Sequence, residues 1–131
     1  MVKCGDKKCK CCLNIVETDH VNFTNGMHFK IRCEMSCSSC YVIYVITCKG
    51  CKRQYIGETG DILRNRVSVH RQLIKDSGTR QIPLSEHIDN CSTEEIQFSI
   101  CPFYKLHNSD TILRREKEKY FIKLFKPLLN K

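Results

Sequence analysis

The stretch Val42-Ile43-Tyr44-Val45-Ile46-Thr47-Cys48-Lys49-Gly50-Cys51-Lys52-Arg53-Gln54-Tyr55-Ile56-Gly57 decides how this chain is read. Residues 41–47 are nearly continuous apolar and β-branched, the pattern of a strand buried on both faces. Cys48-Lys49-Gly50-Cys51 then turns the chain, Gly50 being able to take the positive φ of a tight turn, and residues 53–56 pair back as a second strand. Two apolar-tyrosine tripeptides therefore sit on adjacent strands, with two cysteines at the spacing of half a zinc site on the hairpin tip.

Towards the C-terminus, Asp61 offers an N-cap for a helix predicted over 62–76 and stopped by Gly78. Leu63, Val67 and Ile74 lie near one stripe of it. Arg66 and His70 are four residues apart and so project from one face. Pro83 suits the start of a short helix carrying Glu86, His87 and Cys91 near its end. The alternation of Ile96, Phe98 and Ile100 predicts a third strand over 96–104. After the capping cluster Asn108-Ser109-Asp110, a last helix is predicted over 111–126, ended by Pro127.

Towards the N-terminus, residues 1–40 hold seven of the 11 cysteines: Cys4, Cys9, Cys11, Cys12, Cys33, Cys37 and Cys40. Between them, Phe23, Met27, Phe29 and Ile31 suit a small hairpin around Asn25-Gly26. Periodic apolar patterning is otherwise weak, so this segment is expected to be organised by metal and unable to fold without it. The chain thus divides into a cysteine-rich zinc-binding segment, 1–40, and a domain over 41–131.

A chain of 131 residues supports one modest core. Eleven cysteines reach disulfide-scaffold density, yet the chain opens Met-Val-Lys-Cys with no apolar targeting segment and never shows an apolar run of membrane length. An intracellular, nuclear address is expected, with no membrane association. In a reducing compartment, clustered cysteines read as zinc ligands rather than disulfides. The formal charge of +8 falls to about +5 once two zinc ions and their thiolates are counted, which still suits a nucleic-acid partner. Cys101 is expected in the core and His107 on a surface loop.

These residues resemble the GIY-YIG endonuclease family over 42–130, with Val42-Ile43-Tyr44 as the first motif, Val42 replacing its glycine, and Tyr55-Ile56-Gly57 as the second. The resemblance implies an α+β fold, a small three-stranded antiparallel sheet flanked by helices, here with a zinc-organised N-terminal segment. It assigns a catalytic site of Tyr44, Tyr55, Arg66, His70, Glu118 and Asn130. A closer likeness is to the zinc-containing endonuclease domain of Penelope-like retroelements, where paired cysteines separate the tyrosine motifs. That likeness matches Cys48, Cys51, His87 and Cys91 to one structural zinc, Cys91 standing where a histidine is expected. It matches Cys4, Cys9, Cys12 and Cys37 to a second zinc, for which Cys11, Cys33, Cys40, His20 and His28 could each substitute.

Phosphodiester hydrolysis needs a water nucleophile, charge stabilisation at phosphorus and help for the leaving oxygen. Glu118 is expected to hold Mg²⁺ or Mn²⁺ with several waters. Its neighbours one turn on, Phe121 and Ile122, put it at the edge of an apolar face, whereas Glu116 reads as solvated. Arg66 supplies a planar donor fork for phosphate. Tyr44 is the base implied by the resemblance, provided cationic charge lowers its pKa from about 10, and His70 is the better-tuned alternative. The function expected is nicking of target DNA for retroelement insertion, with a reverse transcriptase domain of the same polypeptide and its RNA as partners. A catalytically silent zinc-dependent nucleic-acid-binding module is the alternative. A RING-like interaction domain fails on ligand spacing.

Overall fold

In a computed structural model, Ile15 and residues 17–49, 52–75, 98–127 and 129–130 are described, with backbone alone for Arg71 and residues 73–75. The apolar run becomes β3 (Val42–Cys48), which follows a short hairpin of β1 (His20–Asn22) and β2 (His28–Lys30). Then come β4 (Gln54–Thr59), α1 (Leu63–Lys75), β5 (Phe98–Lys105) and α2 (Thr111–Phe125). The main sheet is three-stranded and antiparallel in the order β4-β3-β5, so the fold is α+β. Among the described residues no helix is long and apolar enough to cross a membrane.

Burial on both faces follows from the central place of β3: Val42, Ile43, Tyr44 and Ile46 are 0% exposed. Among the described residues β5 makes its ladder with β3, besides one isolated parallel bridge from Ile15 to Ile100, and its Pro102 is tolerated because the register there slips, Ile43 facing Tyr104 but Tyr44 facing Pro102. β4 runs three residues beyond the expected 53–56, since pairing with β3 continues through Val42↔Thr59. The helix expected over 62–76 is Leu63–Lys75, with Asp61 Oδ1 accepting from the Ile62 amide at 2.7 Å. In α2, Asp110 accepts from the amides of Ile112 and Leu113, and Lys126 closes the far end in the left-handed region.

The described residues of the segment 1–40 contribute more packing than its composition suggests. Val21, Phe23, Ile31, Met35 and Cys37 belong to the same buried cluster as the main sheet. Phe23 stacks on Phe125 at 3.7 Å, and Phe29 meets Phe103 and Phe121 at 5.5 Å, so the hairpin covers α2 and β5 with aromatic rings. Gln54 ties it to the sheet, donating to the Asn22 carbonyl at 3.0 Å and accepting from the Thr24 amide at 3.1 Å. The carbonyls of Ser39 and Cys37 accept from the amides of Leu63 and Arg64 at 2.9 and 2.7 Å, satisfying donors that a helix start leaves unpaired. The loop carrying Cys37 thereby fixes where α1 begins. Gly50, Cys51, Gly78 and the expected short helix with Glu86, His87 and Cys91 lie outside the described residues.

Candidate active site

Tyr44 and Gly57 are cross-strand partners, so the phenol ring lies directly over the glycine. A Cβ at Gly57 would sit 2.6 Å from the Tyr44 hydroxyl and ring carbon. That closeness is why the second tripeptide ends in glycine. From α1, one turn apart, come the two groups that meet the hydroxyl: His70 Nε2 at 2.9 Å and Arg66 Nε, which donates to it at 3.2 Å. With the phenol proton directed at Nε2, the Tyr44 hydroxyl both donates and accepts, and His70 Nδ1 is the one buried polar side-chain atom among the described residues left without a partner. The opposite tautomer would strand the phenol proton as well. The phenol therefore receives from Arg66 and donates to a neutral imidazole.

Electrostatics correct one expectation. Burial raises the Tyr44 phenol well above its usual 10, and Arg66 offsets only part of that rise. Tyr44 is thus not a resting phenolate, because a wholly enclosed ring gives up more solvation than one guanidinium returns. Burial, with Arg66 beside it, pulls His70 down to about 4, keeping the imidazole neutral at ordinary pH. Sequence reasoning put Arg66 and His70 on one helix face; the structure adds that this face meets the Tyr44 hydroxyl.

Tyr55, opposite Ile46 on β4, is half-buried with its ring 6.1 Å from that of His70. Glu118 on α2 is half-buried as well, whereas Glu116 is exposed. Burial first, then the Glu58 carboxylate, push the Glu118 carboxyl above its usual range, against the pull of Arg66. Glu58 is a group the sequence reading missed. It is bound by Arg114, whose Nε donates to Glu58 Oε2, and Arg114 is 7% exposed. Gly60 makes room for that guanidinium, since a Cβ there would lie 2.8 Å from Arg114 Nη2. Position 58, directly after the second tripeptide, was the available signal; nothing local announces a partner 56 residues away.

Asn130, expected in the catalytic set, is bonded to the backbone of β4. Its amide oxygen accepts from the Ile56 N–H at 2.7 Å, and its amide nitrogen donates to the Ile56 carbonyl at 2.8 Å. Both ends of the side chain are spent on the free edge of β4, so Asn130 fastens the C-terminal residues to the strand carrying Tyr55 and Gly57.

Of the eight zinc candidates, only Cys37 and Cys48 fall among the described residues, and both are 0% exposed. Cys4, Cys9, Cys12, Cys51, His87 and Cys91 lie outside them, as does Cys11. Among the described residues no three His, Cys, Asp or Glu side chains form a metal-holding group. Of the possible substitutes, Cys33, His20 and His28 are exposed and Cys40 is half-buried. Cys101 is core, as expected, its thiol pushed up by burial to about 11, and His107 is exposed.

For an active-site divalent ion, the chemistry of the donor set fits. A half-buried carboxylate destabilised by a neighbouring carboxylate is a place where bound cation charge relieves repulsion.

Residues 40–131 match the family model of the GIY-YIG catalytic domain. No curated protein and no solved structure matches the chain.

Proposed function

The chain belongs to the GIY-YIG catalytic-domain family, a family of nucleases acting on DNA, and we propose that it is a divalent-metal-dependent endonuclease nicking target DNA for insertion of a retroelement. The observation that carries this reading is the Tyr44 hydroxyl, received from Arg66 and directed at His70. Any buried phenol needs an acceptor for its proton, which His70 supplies, but a guanidinium brought onto the same oxygen as well goes beyond what packing asks for.

Tyr44 is 0% exposed, and Arg66 Nε occupies its oxygen, so the phenol is covered in the free protein. A phosphate in the site competes for the Arg66 guanidinium through bidentate charge-assisted bonds, which would uncover that oxygen. A water placed there loses its proton to the Tyr44 oxygen as the phenol proton passes to His70 Nε2. No free phenolate need form, which answers the raised pKa. Arg66 then stabilises charge on the phosphoryl oxygens. Tyr55, beside His70, borders the same water. Glu118 would hold Mg²⁺ or Mn²⁺; when bound, the ion supplies Lewis-acid polarisation of the phosphate.

The site residues, the division into segment 1–40 and domain 41–131, and two structural zinc ions stand within this proposal. Cys48, Cys51, His87 and Cys91 would hold one ion, and Cys4, Cys9, Cys12 and Cys37 the other. Burial of Cys48 and Cys37, and the capping of α1 by the Cys37 loop, support a structural task for both. A reverse transcriptase domain with its RNA is the partner this role calls for, and chromosomal insertion would set it in the nucleus.

Incubating supercoiled plasmid with Mg²⁺ tests the core of the reading. The unsubstituted chain is expected to nick, and Glu118→Gln to bind without nicking. A chain that binds DNA and never nicks is the silent binding module instead. Metal analysis of the purified chain is expected to find about two zinc ions.

A further inference from the structure

Beside the face of α2 that carries Glu118, a groove of about 520 Å³ runs between that helix, β2 and β5. Its volume lies within the roughly 300–1,000 Å³ of small-molecule sites. Two tyrosines, Tyr104 and Tyr120, stand in its wall, and Lys117 Nζ lies 5.5 and 5.7 Å from their ring centroids. Arg32 and Lys105 add two further cations, the floor includes Phe121, and no carboxylate lines it among the described residues. Tyr120 is 56% exposed, an unusual state for a large aromatic on a helix whose other rings are packed away.

We propose that this groove binds an unpaired nucleotide of a DNA strand running from the active site. Aromatic faces interleaved with cations and free of carboxylates match a base bearing a phosphate on either side. Only an unstacked base offers its face to a tyrosine, which singles out a single-stranded segment over a duplex. Lys117 directly precedes Glu118, so a strand leaving the metal ligand has only the width of one helix to cross, about 10–12 Å. The groove thereby makes the enzyme selective for DNA with a flap, overhang or gap beside the cut.

This inference rests on the nuclease reading, and the experiment separates the two. Affinity of the Glu118→Gln chain is measured for a blunt duplex and for the same duplex with a single-stranded overhang carrying 2-aminopurine, whose fluorescence falls on stacking. A preference for the overhang with quenching is expected. Tyr120→Ala should collapse that preference by roughly ten-fold, within the range of one lost stacking contact, and Tyr120→Phe should keep it. Equal affinity for both DNAs, or a preference untouched by Tyr120→Ala, overturns the groove. Binding of an acidic peptide there in place of DNA overturns it too. Plasmid nicking by the unsubstituted chain preserves the nuclease reading in all of these cases.

Discussion

The hydroxyl of Tyr44 and Nε2 of His70, 26 residues apart in the chain, lie 2.9 Å from each other in the buried centre of the molecule. Each makes the other tolerable there. A buried phenol proton needs an acceptor, and a buried imidazole that stays neutral provides one.

Tyr44→Phe should therefore act on two readouts. Loss of the hydroxyl is expected to lower the cleavage rate by about 10²-fold or more. It also leaves His70 without its partner, costing about 1–3 kcal/mol in chemical unfolding. Rate lost with no change in stability would mean that His70 finds a new partner; stability lost with full cleavage would remove Tyr44 from the chemistry.

Gly57→Ala should imitate that loss without touching the phenol. The added methyl meets the Tyr44 ring and hydroxyl at 2.6 Å, and the ring is enclosed by core. Displacement of the hydroxyl from His70 and Arg66 is expected, with about 1–3 kcal/mol of overpacking strain. Nicking assays and denaturant midpoints measure both effects.

Stability should depend on pH through His70. Its folded pKa of about 4 lies below the ordinary 6.5, so the unfolded chain takes the proton first as pH falls. Stability conferred by the neutral buried ring is whole above 6.5 and declines towards 4, by roughly 3 kcal/mol across the window. Unfolding curves across that range for the unsubstituted chain and His70→Gln check this, the variant showing a slope shallower by about one proton.

Glu118→Gln should abolish cleavage while DNA binding and folding persist, and Glu116→Gln should cleave normally. Because burial and Glu58 raise the Glu118 carboxyl, protons compete with the metal at mildly acidic pH. Higher Mg²⁺ is expected to move the acid limb of the rate profile to lower pH. An acid limb indifferent to Mg²⁺ would remove Glu118 as the metal ligand.

Asn130→Ala should cost about 2–3 kcal/mol, since it frees both backbone groups of Ile56 on the edge of β4. Nicking measured well below the melting transition should recover most of its rate. A variant that folds with normal stability yet never cleaves would return Asn130 to the chemistry.

Much of the frame was legible because it depends on local pattern. The run at 42–48 reads as a strand buried on both faces, and it is the middle strand of three. Asp110 and Pro127 bracket α2 where capping chemistry puts its ends. Arg66 and His70 share a helix face by spacing alone, and the apolar neighbours of Glu118 set it apart from the exposed Glu116. The hairpin at Asn25-Gly26 was legible too, but its aromatic docking onto α2 and β5 was not.

By itself, then, the sequence determined the order of the described elements, the tyrosine, arginine, histidine and carboxylate types of the candidate site, and their place on strands or helices, because periodicity, caps and turn residues act over a few positions. Only the tertiary structure decided what those side chains do to one another. Burial, set by the whole fold, turned Tyr44 from an expected phenolate into a proton donor to His70. The same fold brought Arg114 to Glu58 and Asn130 to Ile56 across 56 and 74 residues. Desolvation and long-range pairing depend on what surrounds a group in space, and no window of the chain contains that information.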